Sequence, residues 1–334
     1  MTSGNSTCIH EMTTHGSLTV AVILSILVFM TIAGNILALV AAATSERLKQ
    51  KKSTAFIVSL SCADLIMGAV IMPFCISITY IDKWPFGRQV CNFRIIMDVT
   101  SVTASINSLC VIAIDRYIAI TRPLRYPSLV TRCRATCAVL AVWILSITMT
   151  FFPVQFNWYR SKSPEALVCY ENPNCCSFEP SKEYAVISSI ISFHLPAALM
   201  IFVYSQVLKE ATRQVRMCVR GAEKNQIRHI ISAKERRALK TLSLIMGVFL
   251  FCWLPFFIIN PTQALCGFCL DGFYNLVFLW LGYINSIFNP LLYSRNPEFM
   301  AAYRRLLCCD AGKLRFIYLY TVSKYVVYII DLCC

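Results

Sequence analysis

Charge is scarce in this sequence. Asp, Glu, Lys and Arg supply 14% of its 334 residues, whereas an ordinary soluble domain carries about 25%. Hydrophobic side chains make up 57%, and so little polar surface cannot clothe a soluble protein of this size. Positive charge is missing altogether from residues 1–17 and 260–272. No charged side chain of either sign occurs from 18 to 43. That run exceeds the roughly 20 apolar residues that carry a helix across the hydrocarbon core. These shortages exclude a disordered chain, a nucleic-acid-binding domain and a small secreted disulfide module. The net charge of +14 is therefore read as membrane asymmetry rather than nucleic-acid affinity, and the 18 cysteines are too scattered for one framework.

Seven apolar runs are present, at about 18–43, 54–80, 92–120, 135–154, 184–208, 238–259 and 273–293. Each is long enough to span, and in lipid a spanning backbone must satisfy its own hydrogen bonds, so each is expected to be a helix. Seven buried helices of a soluble bundle would need far larger polar connections. The connections on one side hold six Lys and Arg; those on the other hold 25, including Arg47, Lys49, Lys51 and Lys52. The positive-inside rule therefore puts the N-terminus outside and the C-terminus in the cytoplasm. No cleavable signal peptide is expected, because the first apolar run starts late and is long. Asn5-Ser6-Thr7 is a glycosylation sequon in the outer tail of residues 1–17. Pro297–Leu307 is amphipathic and ends before Cys308-Cys309, as expected of an interfacial eighth helix with palmitoylation sites. Residues 310–334 form a cytoplasmic tail with an apolar, aromatic run at 316–331 that has no functional reading.

Ionisable residues inside a span are costly and point to function. Asp98 lies about two turns into the third run, and no neighbouring cation is expected for its carboxylate. A cationic ligand from outside would neutralise it; a salt bridge to another helix or a neutral acid would serve equally. Asp115-Arg116 closes the same run. A bridge from Arg116 to Glu235, at the start of the sixth run, would make a two-state latch, and interfacial snorkelling is the plainer reading. Asp64 lies mid-span, with Asn35, Ser105, Asn285 and Asn289 at similar depth in other runs. Such a cluster could hold water or sodium, or simply tie helices together. Pro73, Pro196, Pro255 and Pro290 interrupt spans and permit kinks. Phe249, Trp253, Phe256 and Phe257 recur near Pro255 and offer either core packing or aromatic faces for an amine.

These residues, taken in order, resemble a rhodopsin-like (class A) G-protein-coupled receptor over about 18–309. The motifs are Gly34-Asn35, Leu60-x-x-Ala63-Asp64, Cys91, Asp115-Arg116-Tyr117, Trp143, Pro196 with Tyr204, Phe249-x-x-Cys252-Trp253-Leu254-Pro255 and Asn289-Pro290-x-x-Tyr293. The resemblance implies an all-α membrane protein, a seven-transmembrane helix bundle with a short amphipathic eighth helix, and no enzyme. It lies in the aminergic branch and is most similar to β-adrenergic receptors. Asp98 matches the acid that holds the ligand ammonium, and Tyr283 the tyrosine that steadies it. Ser188, Ser189 and Ser192 match hydroxyls that bind catechol groups, with back-bonding to helix carbonyls as the alternative; the i, i+4 spacing puts Ser188 and Ser192 on one face. Val99, Val102, Phe178, Trp253, Phe256, Phe257 and Asn260 are implied as the remaining walls.

Leu279 departs from the β-adrenergic pattern, which has an asparagine there, and matches a Leu-Trp-Leu-Gly-Tyr run of one class of histamine receptors. The likeness also implies disulfides Cys91–Cys176 and Cys169–Cys175, and suggests a further bridge within Cys266-x-x-Cys269. It implies a switch built from Asp115, Arg116, Tyr117, Tyr204, Glu235, Phe249, Asn289, Pro290 and Tyr293. An allosteric sodium ion could sit among Asp64, Ser105, Asn285 and Asn289; no other cofactor is implied. The short loop at 209–237 resembles that of receptors coupled to the stimulatory G protein. The expectation is a plasma-membrane receptor that raises cyclic AMP on binding a catecholamine, with histamine, a trace amine or dopamine as alternatives. Its partners would be a small amine, a heterotrimeric G protein, arrestin, a receptor kinase and membrane lipids. A transporter, the rival from another class, would show internal repeats that are not apparent here. A retinal pigment would need a lysine in 273–293, where there is none.

Overall fold

The computed structural model describes residues 14–81, 83–220, 226–267 and 272–307, without the side chains of 14–18, 79–81, 165, 214–220, 226–239 and 272. Within these residues the seven expected spans are seven long helices, with an eighth lying after them. Helix α1 is Thr14–Thr44 and α2 runs from Thr54–Ile66 through a π turn, Met67–Ile71, into Met72–Ile81. Helix α3 is Gly87–Thr121 and α4 is Arg132–Gln155. Helix α5 joins Lys182–Ser189 through a second π turn, Ile190–His194, to Leu195–Arg220. Helices α6, α7 and α8 are Gln226–Cys266, Gly272–Tyr293 and Pro297–Leu307.

Helix α3 is the axis of the bundle and packs against α2, α4 and α5. In its most apolar stretch 67% of residues are buried, against 11% in α1 and 22% in α4. The outward side chains are large and apolar, with Phe29, Ile144, Phe202 and Phe251 all more than half exposed. A belt of this kind would be a liability in water and is what hydrocarbon solvates.

Both π turns end two residues before a proline: Ile71 before Pro73 and His194 before Pro196. Proline has no N–H to donate, and its ring crowds the carbonyl four residues back. One widened turn absorbs both defects. Pro153, Pro255, Pro261 and Pro290 are carried inside helices without such a turn.

Outside the bundle, residues 156–181 fold over the outer mouth. The Cys91–Cys176 disulfide ties this segment to the start of α3, and Cys169–Cys175 closes a small loop within it. An antiparallel bridge pairs Arg160 with Pro180. Arg88 donates to the carbonyls of Cys169 and Tyr170 at 2.9 and 2.8 Å. Trp84, fully buried, anchors a second core with Cys91, Ile95, Val154 and Tyr159. Cys266 is disulfide-bonded; its expected partner Cys269, like Asn5, Cys308, Cys309 and the tail at 310–334, lies outside the described residues.

Candidate functional site

The acid expected to meet a ligand stands at the junction of α2, α3 and α7. Tyr283 Oη donates to Asp98 Oδ2 at 2.7 Å, so the tyrosine and the acid are joined across 185 positions of sequence. One expectation needs correction. Asp98 does have a nearby cation: Arg94, one turn earlier on α3, places Nη1 4.0 Å from Asp98 Oδ2. Arg94 is buried, with Nη1 3.3 Å from the Cys75 thiol of α2. That thiol is in turn 3.7 Å from the Tyr283 hydroxyl. The i, i+4 spacing of Arg94 and Asp98 was the available signal.

Aromatic side chains lie below and beside this group. The Trp253 ring is 6.1 Å from Tyr283, 6.0 Å from Phe256 and 6.1 Å from Phe257. Phe257 stacks on Phe193 of α5 at 4.3 Å. Gly282 makes this closeness possible, since a Cβ there would fall 2.7 Å from the indole of Trp253. Val102 is buried, whereas Val99, Asn260 and Leu279 are half-buried. Phe178 belongs to the loop over the mouth, stacked 5.3 Å from Tyr159.

The α5 serines differ from the simple helical picture. Ser189 and Ser192 are buried and Ser188 is half-buried, because the π turn starting at Ile190 changes the register between them. Ser192 Oγ donates to the Ser188 carbonyl at 2.6 Å and Ser188 Oγ to the Ala185 carbonyl at 3.4 Å. These are the back-bonds of the alternative reading, and each hydroxyl oxygen keeps lone pairs for a further donor.

Deeper in the bundle, Asp64 accepts from Ser286 Oγ and Asn289 Nδ2, both at 2.7 Å. Ser286 was not legible in the sequence, because a serine within a span reads as back-bonded to its own helix. Ser105 and Asn285 are buried at this level, and Asn285 Oδ1 has no hydrogen-bond partner. Asn35 Nδ2 donates to the Ser286 carbonyl at 3.0 Å, which joins α1 to α7. Ser59 receives Trp143 Nε1 at 3.0 Å and lies 3.0 Å from Ser108 Oγ, joining α2, α3 and α4.

At the cytoplasmic end Arg116 is turned onto its own neighbour: Nε donates to Asp115 Oδ2 at 2.9 Å and Nη2 donates to the same oxygen. Tyr126, in the short helix Tyr126–Leu129, donates to Asp115 Oδ1 at 2.9 Å. Burial, and after it the charge of Asp115, pushes the Tyr126 phenol up to about 12, so it remains a donor at neutral pH. Sequence reasoning missed Tyr126, whose loop position gave no periodic signal. Tyr204 of α5 is hydrogen-bonded to Ser243 of α6. Phe249 and Tyr293 are buried and Tyr117 faces outward. Pro290 packs beside Gly34, where a Cβ would lie 3.1 Å from its ring. The side chain of Glu235 lies outside the described residues, so the latch to α6 is not placed.

Residues 34–293 match the family described as 7 transmembrane receptor (rhodopsin family). The chain belongs to this family. It is therefore a multi-pass receptor of the plasma membrane rather than an enzyme or a transporter. It is 36% identical to a D(1)-like dopamine receptor of Takifugu rubripes, over 86% of this chain and 69% of that one. It is also 36% identical to the histamine H2 receptor of Cavia porcellus, over 87% and 80%. The D(1B) dopamine receptor of Mus musculus is 36% identical over 86% of this chain and 69% of that one. Dopamine and histamine receptors were among the alternatives; the likeness to relatives is aminergic and not specifically β-adrenergic.

Proposed function

We propose that this chain is a cell-surface receptor for a small aromatic amine, protonated at neutral pH, and that it activates the stimulatory G protein and so raises cyclic AMP. The observation that carries this reading is the Asp98–Tyr283 pair at 2.7 Å, a half-buried acid held in place beside aromatic walls. An ammonium entering from outside replaces the water it loses with Asp98 and with the faces of Trp253, Phe256 and Phe257. Ser188, Ser189 and Ser192 supply lone pairs for ring hydroxyls, which favours a catecholamine such as the one named on the dopamine-receptor relatives. Leu279 favours histamine as a second reading, since it offers no hydrogen bond to a side-chain hydroxyl. Asn260 and Phe178 cap the site, and Val99 and Val102 line it.

Agonist binding would favour an outward swing of the inner end of α6, freeing Arg116 from Asp115 to receive the G protein. Arrestin and a receptor kinase would act on the same cytoplasmic face. Asn5 would be glycosylated and Cys308 and Cys309 palmitoylated. A sodium ion suits the oxygens of Asp64, Ser105 and Asn285, because the donor set is hard and Asn285 Oδ1 is an unpaired acceptor. Its part would be to hold the inactive packing of α2, α3 and α7.

The test is cyclic AMP in cells expressing the chain, challenged with dopamine, noradrenaline, adrenaline, histamine and tyramine. A rise with at least one amine supports the reading, and its ranking identifies the ring chemistry. Silence to all, with the chain at the surface, removes both the ligand class and the coupling.

A further inference from the structure

The amine reading leaves one buried charge without employment. Arg94 is 8% exposed and sits one turn outward of Asp98 on α3. Its guanidinium has five donors and cannot shed its proton. Among the described residues Nη1 finds the Cys75 thiol at 3.3 Å, which is a weak acceptor. It approaches Asp98 Oδ2 only to 4.0 Å, beyond hydrogen-bond distance. Nε is buried and has no hydrogen-bond partner. The same carboxylate oxygen already takes the Tyr283 hydroxyl at 2.7 Å. The site therefore holds one anion, one cation and an excess of donors around the cation.

A simple amine uses Asp98 but leaves the guanidinium out. It brings a second cation to a single carboxylate, which the guanidinium must then share. An α-amino acid carries an ammonium and a carboxylate on the same carbon. Its ammonium can meet Asp98 while its carboxylate takes the guanidinium in the two-pronged geometry that arginine favours. The charges then alternate, and the unused Nε gains an acceptor.

We propose that Arg94 is a carboxylate-binding residue and that this receptor prefers an aromatic amino acid to the amine left by its decarboxylation. The proposal rests on the amine reading of Asp98 and narrows its ligand class.

The experiment compares three compounds of one skeleton on cells expressing the full chain: the amine, the α-amino acid and the amino acid methyl ester. Three skeletons are used: dopamine with dihydroxyphenylalanine, tyramine with tyrosine, and histamine with histidine. Cells are held in amino-acid-free buffer with a decarboxylase inhibitor, and cyclic AMP is read. In the wild type the free acid of the responding skeleton should be at least about tenfold more potent than its amine and its ester. Arg94→Gln should reverse that order, and Arg94→Lys should retain part of the preference. Each comparison is a ratio within one variant, so expression level cancels.

An amine or ester as potent as the acid in the wild type overturns the proposal and leaves the amine reading intact, with no variant needed. An acid-to-amine ratio that Arg94→Gln does not move overturns it equally. Silence of all three forms of every skeleton, in wild type and variant at the surface, removes the amine reading and the proposal together.

Discussion

Two carboxylates inside this bundle keep different company. Asp64 has both oxygens occupied by donors of α7, whereas Asp98 has one oxygen held by Tyr283 and a guanidinium at 4.0 Å. The first is tied on both oxygens to α7, and the second keeps Oδ1, the oxygen the proposed ammonium would use, without a hydrogen bond to Tyr283. Tyr283→Phe removes a hydrogen bond to a charged group, worth about 1.5–3 kcal/mol. Agonist potency in a cyclic AMP assay should fall roughly 10- to 100-fold, with the maximal response retained. At the inner end, Tyr126→Phe removes the donor to Asp115 Oδ1. The resting pair loses about 1 kcal/mol of support, and ligand-free cyclic AMP should rise by roughly fivefold; an unchanged basal level would remove Tyr126 from the latch. Asp98 and Tyr283 were legible in the sequence because the motif places them. Arg94 was not, because a cation near the outer end of a span reads as part of the connection until its burial is seen.

Helices were easy to read and their defects were not. The seven runs and the amphipathic Pro297–Leu307 segment lie where the apolar pattern put them. The prolines announced kinks, but nothing in the residue types told that Pro73 and Pro196 would each be met by a π turn while Pro255 and Pro290 would not. That difference matters on α5, where it decides which serines turn inward. At the contact between α6 and α7, Gly282→Ala would push a methyl group against the Trp253 ring. Overpacking of this kind costs about 1–3 kcal/mol. The purified variant should melt several degrees lower in detergent, and a melting point equal to the wild type would mean that α6 and α7 separate without strain.

The whole molecule is an asymmetric object: a disulfide-tied lid outside, a polar chain through the centre and a cationic inner face. The lid was legible only through family likeness, because four cysteines alone do not fix a pairing. The Cys91–Cys176 bridge closes a long loop over the outer mouth, its ends 85 positions apart. Cys176→Ser should cost about 2–5 kcal/mol and sharply reduce the chain reaching the cell surface. Where some arrives, ligand affinity should fall, because Phe178 and Tyr159 lose their anchor. On the inner face Lys51 pairs with Glu298 of α8 at 2.5 Å, and Lys52 donates to the Pro127 carbonyl at 2.9 Å. The same basic residues that set the orientation thus also tie the first inner loop to α8 and to the Tyr126 turn.

The central claim is that an ammonium on Asp98 drives G-protein activation. The most direct measurement is ligand-stimulated nucleotide exchange on purified stimulatory G protein, catalysed by the purified chain in lipid nanodiscs, for the wild type and Asp98→Asn. The neutral variant is close in shape and keeps the Tyr283 partner, so it isolates the charge. The account predicts ligand-dependent exchange by the wild type and at least about a hundredfold loss of potency in Asp98→Asn, with basal exchange still measurable. Equal potency in the two proteins would contradict it.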